Sequence, residues 1–172
     1  MRRLVWLTVL AIALAVPAVG YAVVGASSDD GTLSVKNGIG RVYLNITGTV
    51  VGRLTKGYIQ VTDPNPNDGP GFNFVGCDLG SYDKSITTSV CHSDGKDGVV
   101  RFKAIGGRYQ ILIYRGASGI FLSAVGHGYA TLNGAGEDLT NPFDGTYSVN
   151  DGPYKSLPNS LTPVPIAAPT GG

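Results

Sequence analysis

The chain has 172 residues with 13 Lys and Arg against 12 Asp and Glu, so it is almost neutral. That balance excludes the electrostatic attraction by which basic proteins hold nucleic acid or an anionic membrane surface. Its 26 glycines are about double the usual share of roughly 7%, and only one of its acids, Glu137, is a glutamate. Aspartate bonds its own backbone in turns whereas glutamate suits helix interiors, so this skew predicts many turns and little helix.

The first element is an export segment. Arg2 and Arg3 precede a run without charge until Asp29. Leu4 to Val16 reads as the hydrophobic region of a signal peptide, Pro17 breaks it, and Gly20-Tyr21-Ala22 and Val24-Gly25-Ala26 offer small residues to a signal peptidase. Cleavage after Ala22 or Ala26 is the preferred reading. The alternative is an uncleaved anchor, since Leu4 to Ala26 is long enough to cross a hydrocarbon core of roughly 30 Å as a helix, with the arginines inside. Pro17, Gly20 and Gly25 disfavour a continuous helix there. Either reading predicts an extracytoplasmic protein, secreted or held at the membrane by residues 1–26. Loss of that segment leaves eleven basic against twelve acidic side chains.

From residue 31 the apolar residues alternate. "DGTLSVKNG" (30–38) reappears as "DGTYSVNDG" (144–152), each a turn, a short amphipathic strand and a second turn. The two phrases are predicted to form adjacent or near-adjacent strands at the ends of one domain. In "RVYLNITGTVVGRL" (41–54), Val42, Leu44, Ile46, Val50 and Leu54 share one parity, with Arg41, Asn45, Thr47, Thr49 and Arg53 opposite. Period two predicts a half-buried strand. Val100, Phe102 and Ala104 repeat the pattern, as do Tyr109, Ile111 and Ile113, where Leu112 on the opposite face predicts a central strand. Turn signals such as Asn37-Gly38, Gly106-Gly107, Gly116, Gly126 to Gly128 and Asn133-Gly134 divide the runs.

The expected fold is all-β: about ten short strands between residues 31 and 150, in an antiparallel β-sandwich or flattened barrel, following an N-terminal signal or anchor helix. Residues 27–157 form one domain, and 158–172, with Pro158, Pro163, Pro165 and Pro169, form a disordered Pro-rich tail. A β-solenoid is the structural alternative, although no fixed repeat period is present.

The succession of "DGTLSV", "GTVVGR", a Tyr-bearing strand ending in Asp, "NDGPG", "GGRYQILI", "GIFLSAVGHG" and "DGTYSVNDGPY" resembles a group of small secreted β-rich proteins of actinobacteria whose function is not established. It covers about residues 30 to 157. The resemblance implies an exported β-domain and assigns no activity; it says nothing of Cys77 and Cys91.

Those two cysteines are the only ones, and export predicts a disulfide between them that closes a 15-residue loop. Their neighbours Asp78 and His92 would allow a mixed metal site, but the paired short spacings of structural zinc sites are missing. In "DPNPNDGPG", Asp63, Asn65, Asn67 and Asp68 alternate as calcium ligands do. The glycine comes one position late, and Phe74 stands where a bidentate glutamate belongs, so a solvated turn-rich loop accounts for the same residues.

Catalytic arrangements are not found. "TTSVC" superficially resembles a sortase, yet no histidine precedes Cys91; G-x-S-x-G is absent; and most aspartates lie beside Gly, Pro or Asn, where turns explain them. Neither catalytic residues nor a cofactor is predicted. Tyr43, Tyr58, Tyr109, Tyr114, Tyr129, Tyr147 and Tyr154 lie in or beside strands. Half or more are expected in the core, the remainder being available to stack on sugar rings. The functional expectation is therefore an exported, non-enzymatic binding or structural protein of the cell envelope or exterior, with an envelope glycan or protein as partner. The alternative is a hydrolase of envelope polymers, whose mark would be His92 or His127 meeting a carboxylate and a hydroxyl or thiol.

Overall fold

The computed structural model describes residues 27–77, 83–84, 87–96, 98–135 and 144–169. The signal or anchor segment 1–26 lies outside the described residues. Every regular element among them is a strand: β1 (Gly31–Leu54), β2 (Lys56–Thr62), β3 (Gly71–Val75), β4 (Asp83–Lys84), β5 (Thr88–Ser93), β6 (Val100–Ile105), β7 (Arg108–Gly134), β8 (Thr146–Val149), β9 (Lys155–Ser156) and β10 (Thr162–Ile166). They form one sheet in the order β3-β6-β1-β7-β2-β5-β4, with β10 beside β7 and β8 between β1 and β9. All pairings are antiparallel, and the sheet curls into a nearly closed barrel around a single core. The barrel form of the expectation therefore holds. Two packed sheets and parallel solenoid rungs are not what these strands build.

Two strands depart from the expected short lengths: β1 has 24 residues and β7 has 27. Glycines read as turns lie inside them, Gly38 in β1 and Gly126, Gly128 and Gly134 in β7, while Gly48 falls within a strand as expected. Gly48, Gly126 and Gly128 have φ of 149°, 153° and 146°, values that L side chains rarely adopt. Gly48 faces Gly126 in register, and a Cβ on either would come within 2.2 Å of a carbonyl oxygen on the partner strand. The strands bend sharply and touch through backbone at this point, as curved sheets require. Bending lets β7 pair with β1 twice. Val42, for example, lies opposite both Ile113 and Leu132, so the middle of β1 runs between two passes of β7. A second irregularity, Gly106-Gly107 with φ of 56° and 80°, separates β6 from β7 while both follow β1, and the Gly48 N–H donates to the Gly107 carbonyl at 3.0 Å. There the sheet forks: β6 continues to β3 and β7 to β2.

The core follows the alternation. Val42, Leu44, Ile46, Val50 and Leu54 are buried, as are Val100, Phe102, Ala104, Tyr109, Ile111 and Ile113. Each large aliphatic side chain so placed contributes about 1.5–3 kcal/mol relative to exposure. With β1 and β2 on its two sides, the strand carrying Leu112 is central, as expected.

The repeated phrases pair with each other. β1 and β8 run antiparallel with Ser34 opposite Ser148, its own counterpart in the repeat, so a local two-fold axis passes between them. Asn37 and Asp151 occupy equivalent places and share the left-handed conformation, at φ 51° and 53°. One rim is closed by Thr32 and Asn150: the Thr32 N–H donates to Asn150 Oδ1 at 2.9 Å, and the Asn150 N–H to the Thr32 carbonyl at 3.0 Å.

The expectation of a mobile tail after residue 157 is corrected by β10. Val164 and Ile166 enter the core, and Thr162 to Ile166 pair with Leu132 to Gly128. Pro163 and Pro165 point outward on an edge strand, where the N–H they lack is not required for the ladder. Proline density concealed a period-two strand.

Cys77 follows β3 and Cys91 lies in β5, and the two are joined in a disulfide with Cα atoms 5.5 Å apart. These strands belong to opposite ends of the sheet path, so the bond does more than close a local loop: it ties the two margins of the barrel across its opening. Beside it, Ser93 Oγ donates to the Thr55 carbonyl at 2.9 Å.

Two outcomes are expected. Truncation after Gly145 removes β8, β9 and β10 and should abolish the cooperative thermal transition; an unchanged melting curve would refute the closing role of the β1–β8 pair. Reduction of the disulfide should lower the melting temperature by an amount equivalent to about 3 kcal/mol. Its presence is checked by a non-reducing intact mass two protons below that of the dithiol.

Candidate functional site

The outward parity of β1 and β7 builds a polar, aromatic pocket of about 250 Å³ lined by Asn45, Thr47, Arg108, His127, Gly128 and Tyr129. Because β1 runs between two passes of β7, Thr47 faces Arg108 on one side and His127 on the other, while Asn45 faces Gln110 and Tyr129. The double pairing thus assembles residues far apart in sequence on one patch of sheet.

Tyr129 is the aromatic element, with 43% of its surface exposed. Tyr43 supports it at 6.0 Å between ring centroids and a 51° tilt, and Asn45 Nδ2 donates to the Tyr129 hydroxyl at 3.5 Å. Burial, together with the neighbouring Tyr129 hydroxyl, raises the Tyr43 pKa against the opposing pull of Arg108. Tyr43 therefore presents a neutral hydroxyl near neutral pH.

At the pocket rim His127 Nδ1 lies 3.0 Å from Asp30 Oδ1. The imidazole is half exposed, whereas Asp30 keeps only 9% of its side-chain surface. Burial works against ionisation of Asp30, but the bonds from His127 and from the Ser27 N–H (2.7 Å) outweigh it, and its carboxyl is held below the usual value. This is the carboxylate contact sought for a hydrolase. A nucleophile is not joined to it: Asp30 is the one hydrogen-bond partner of the His127 side chain among the described residues, and the cysteines are bonded to each other.

His92 stands elsewhere, stacked on Tyr58 at 4.4 Å, with Tyr114 on the other face of Tyr58 at 5.1 Å. The three rings form one stack across β5, β2 and β7, with Tyr58 in the middle. Tyr109 is fully buried, its hydroxyl donating to the Ile105 carbonyl at 3.0 Å, and Tyr147 packs partly against the core. Of the seven tyrosines, Tyr109 alone is fully buried, fewer than expected. Tyr43 and Tyr129 share the parity of polar neighbours on their strands, and that parity was the available signal.

In the proposed calcium loop, Asp63 is 3% exposed and its Oδ1 accepts the Asn65 N–H at 3.1 Å. Asp68 Oδ2 accepts the Arg108 N–H at 3.3 Å, and the Asp68 N–H donates to the Asn65 carbonyl at 3.0 Å. Asn65 and Asn67 are exposed at the loop surface. Both carboxylates thus accept backbone donors that shape the turn and tie it to β7. No group of three or more His, Cys, Asp or Glu suited to a metal occurs among the described residues.

The chain matches no family model, no curated protein and no solved structure.

Because the Asp30 pKa is lowered in the folded state, its carboxylate contributes stability above the ordinary carboxylate range, and that contribution is lost as pH falls through the lowered value. Asp30→Asn should therefore show a smaller loss of melting temperature than wild type between about pH 5 and about pH 2.5. An equal or larger loss would show that the Asp30 contacts carry no linkage.

Proposed function

We propose that the chain is an exported, non-enzymatic binding domain of the cell envelope or exterior, and that the Tyr129 pocket receives a sugar unit of an envelope glycan. The observation that carries this reading is the half-exposed Tyr129 ring flanked by Asn45, Thr47, Arg108 and His127. A sugar has an apolar C–H face and an equatorial fringe of hydroxyls; an aromatic ring serves the first, and amide, guanidinium and imidazole groups serve the second. The pocket's volume of about 250 Å³ leaves room for one sugar ring. The two arginines and the uncharged run that follows them support export, and the disulfide is consistent with it, since oxidising compartments favour such bonds. Signal cleavage after Ala22 or Ala26 would release the domain, and an uncleaved segment would hold it at the membrane.

The test is titration of the protein with purified envelope polysaccharides, read by calorimetry and thermal shift. Tyr129→Ala should weaken binding about tenfold or more, while Tyr114→Ala, whose ring belongs to the Tyr58 stack, should not. Absence of binding by every polysaccharide overturns the reading. The Asp30–His127 pair supports the alternative, a hydrolase of envelope polymers. Shortening of the polymer during incubation, abolished by His127→Ala, would establish it.

A further inference from the structure

A second open groove, about 400 Å³, lies where the middle of β7 runs between the two ends of β1, and it is lined by residues that include Lys36, Val51, Arg53, Arg101, Phe121 and Ser123. The strand register explains its chemistry. Arg53 on β1 lies directly opposite Arg101 on β6, and opposite Phe121 on β7, so the three form one row across the sheet. In the adjacent row Val51 lies between Lys103 and Ser123. The Arg53 guanidinium is held over the Phe121 ring at 4.1 Å from its centroid, and Lys36 lies over Tyr154 at 4.1 Å. Aromatic faces thus orient two of the cations without neutralising them.

Like charges directly opposite on neighbouring strands destabilise a sheet. Among the described residues nothing compensates: none that lines the groove is acidic, and no carboxylate pairs with Lys36, Arg53, Arg101 or Lys103. In a domain with eleven basic and twelve acidic residues after residue 26, four cations gathered on one face do not follow from overall charge. Apolar surface lies between them, since Val51 is 42% exposed and Phe121 lies on the groove wall. A ligand suited to this face carries an anionic group for the paired guanidinium forks and an apolar face for Val51 and Phe121.

We infer that this groove binds an acidic polysaccharide through the carboxylate of a uronic-acid residue, the carboxylate meeting Arg53 and Arg101 and the C–H face of the ring lying against Phe121 and Val51. The choice of a glycan rests on the function proposed above; the location of the site does not. A uronate carries its charge on the ring itself, so one sugar reaches both the apolar wall and the arginine row. An open trough suits an extended polymer better than an enclosed small molecule.

The experiment titrates the purified full-length chain with short oligogalacturonate and with its methyl ester, the same sugar without the charge. The charged form should bind, weaken as salt rises, and exceed the ester in affinity by about tenfold or more. Arg53→Gln with Arg101→Gln should reduce that affinity to the level of the ester, while Tyr129→Ala leaves binding of the short probe in place. The double variant should also melt at or above the wild-type temperature at low salt, because a like-charge repulsion is removed; a markedly lower temperature would overturn the unpaired-cation argument. Equal binding of acid and ester, or retention of binding by the double variant, overturns the groove site. Loss only in Tyr129→Ala does so too, while leaving the glycan-binding function standing. Equal or tighter binding of polyglutamate or of phosphatidylglycerol vesicles overturns the uronate assignment. Oligogalacturonate binding at the groove with no polysaccharide at Tyr129 supports the groove and refutes the pocket.

Discussion

The whole architecture depends on the close approach of β1 and β7 at Gly48 and Gly126. A side chain at either position would collide with the facing carbonyl, so the bend exists only because both are glycine. Glycine in a strand costs roughly 0.5–1 kcal/mol relative to alanine. The return is larger: once bent, β7 flanks β1 on both sides, and Leu44, Ile46, Ile111, Leu122 and Leu132 are gathered into one interior. Other strands attach to this pair. β2 and β10 add to β7, while β6 and β8 add to β1, so an error in the register of the central pair would displace most of the sheet.

Curling a sheet leaves margins, and exposed margins template association with other chains. Covalent and sequence devices deal with them separately here. Cys77–Cys91 joins the β3 side to the β5 side, where the strands themselves make little pairing, and the outward prolines of β10 deny a further strand some of its hydrogen bonds. The β1–β8 unit closes another rim by the local symmetry of two nearly identical phrases. Its equivalent residues, Asn37 within β1 and Asp151 in the turn after β8, adopt the same left-handed conformation because asparagine and aspartate tolerate it better than most side chains. The repeat is therefore structural in effect.

Local periodicity made much of this legible. Alternation on β1, β6 and β7 identified the buried side chains because inward and outward faces differ sharply in chemistry, and the two phrases at 30 and 144 announced their pairing through matched turns. Strand length was not legible. Gly126, Gly128 and Asn133-Gly134 have the composition of turns, and only a partner strand decides whether such a glycine ends a strand or bends one. β10 was hidden for the converse reason, since proline reads as irregular chain unless an edge position makes its missing N–H harmless. The Tyr129 pocket and the arginine row depend on long-range register. Arg53 and Arg101 are 48 residues apart, and nothing near either one indicates that they face each other.

Both proposed contacts lie on the outer face of the strands whose inner face carries the densest core. Neighbouring residues on β1 alternate between the two duties: Leu44 is buried while Tyr43 and Asn45 shape the pocket, and Leu54 is buried while Arg53 meets Phe121. A strand pinned by pairing on both sides and by its buried side chains holds its outward groups in place before any ligand arrives, which lowers the ordering cost of binding. That same rigidity explains how an unfavourable pair such as Arg53 and Arg101 persists. On a frayed edge the repulsion would push the strands apart, but here Val50 and Ala104, Gly52 and Phe102, and Leu54 and Val100 hold the register on the interior side. Core packing thus supplies the stability that lets the outer face retain charge without a protein partner, as functional surfaces characteristically do.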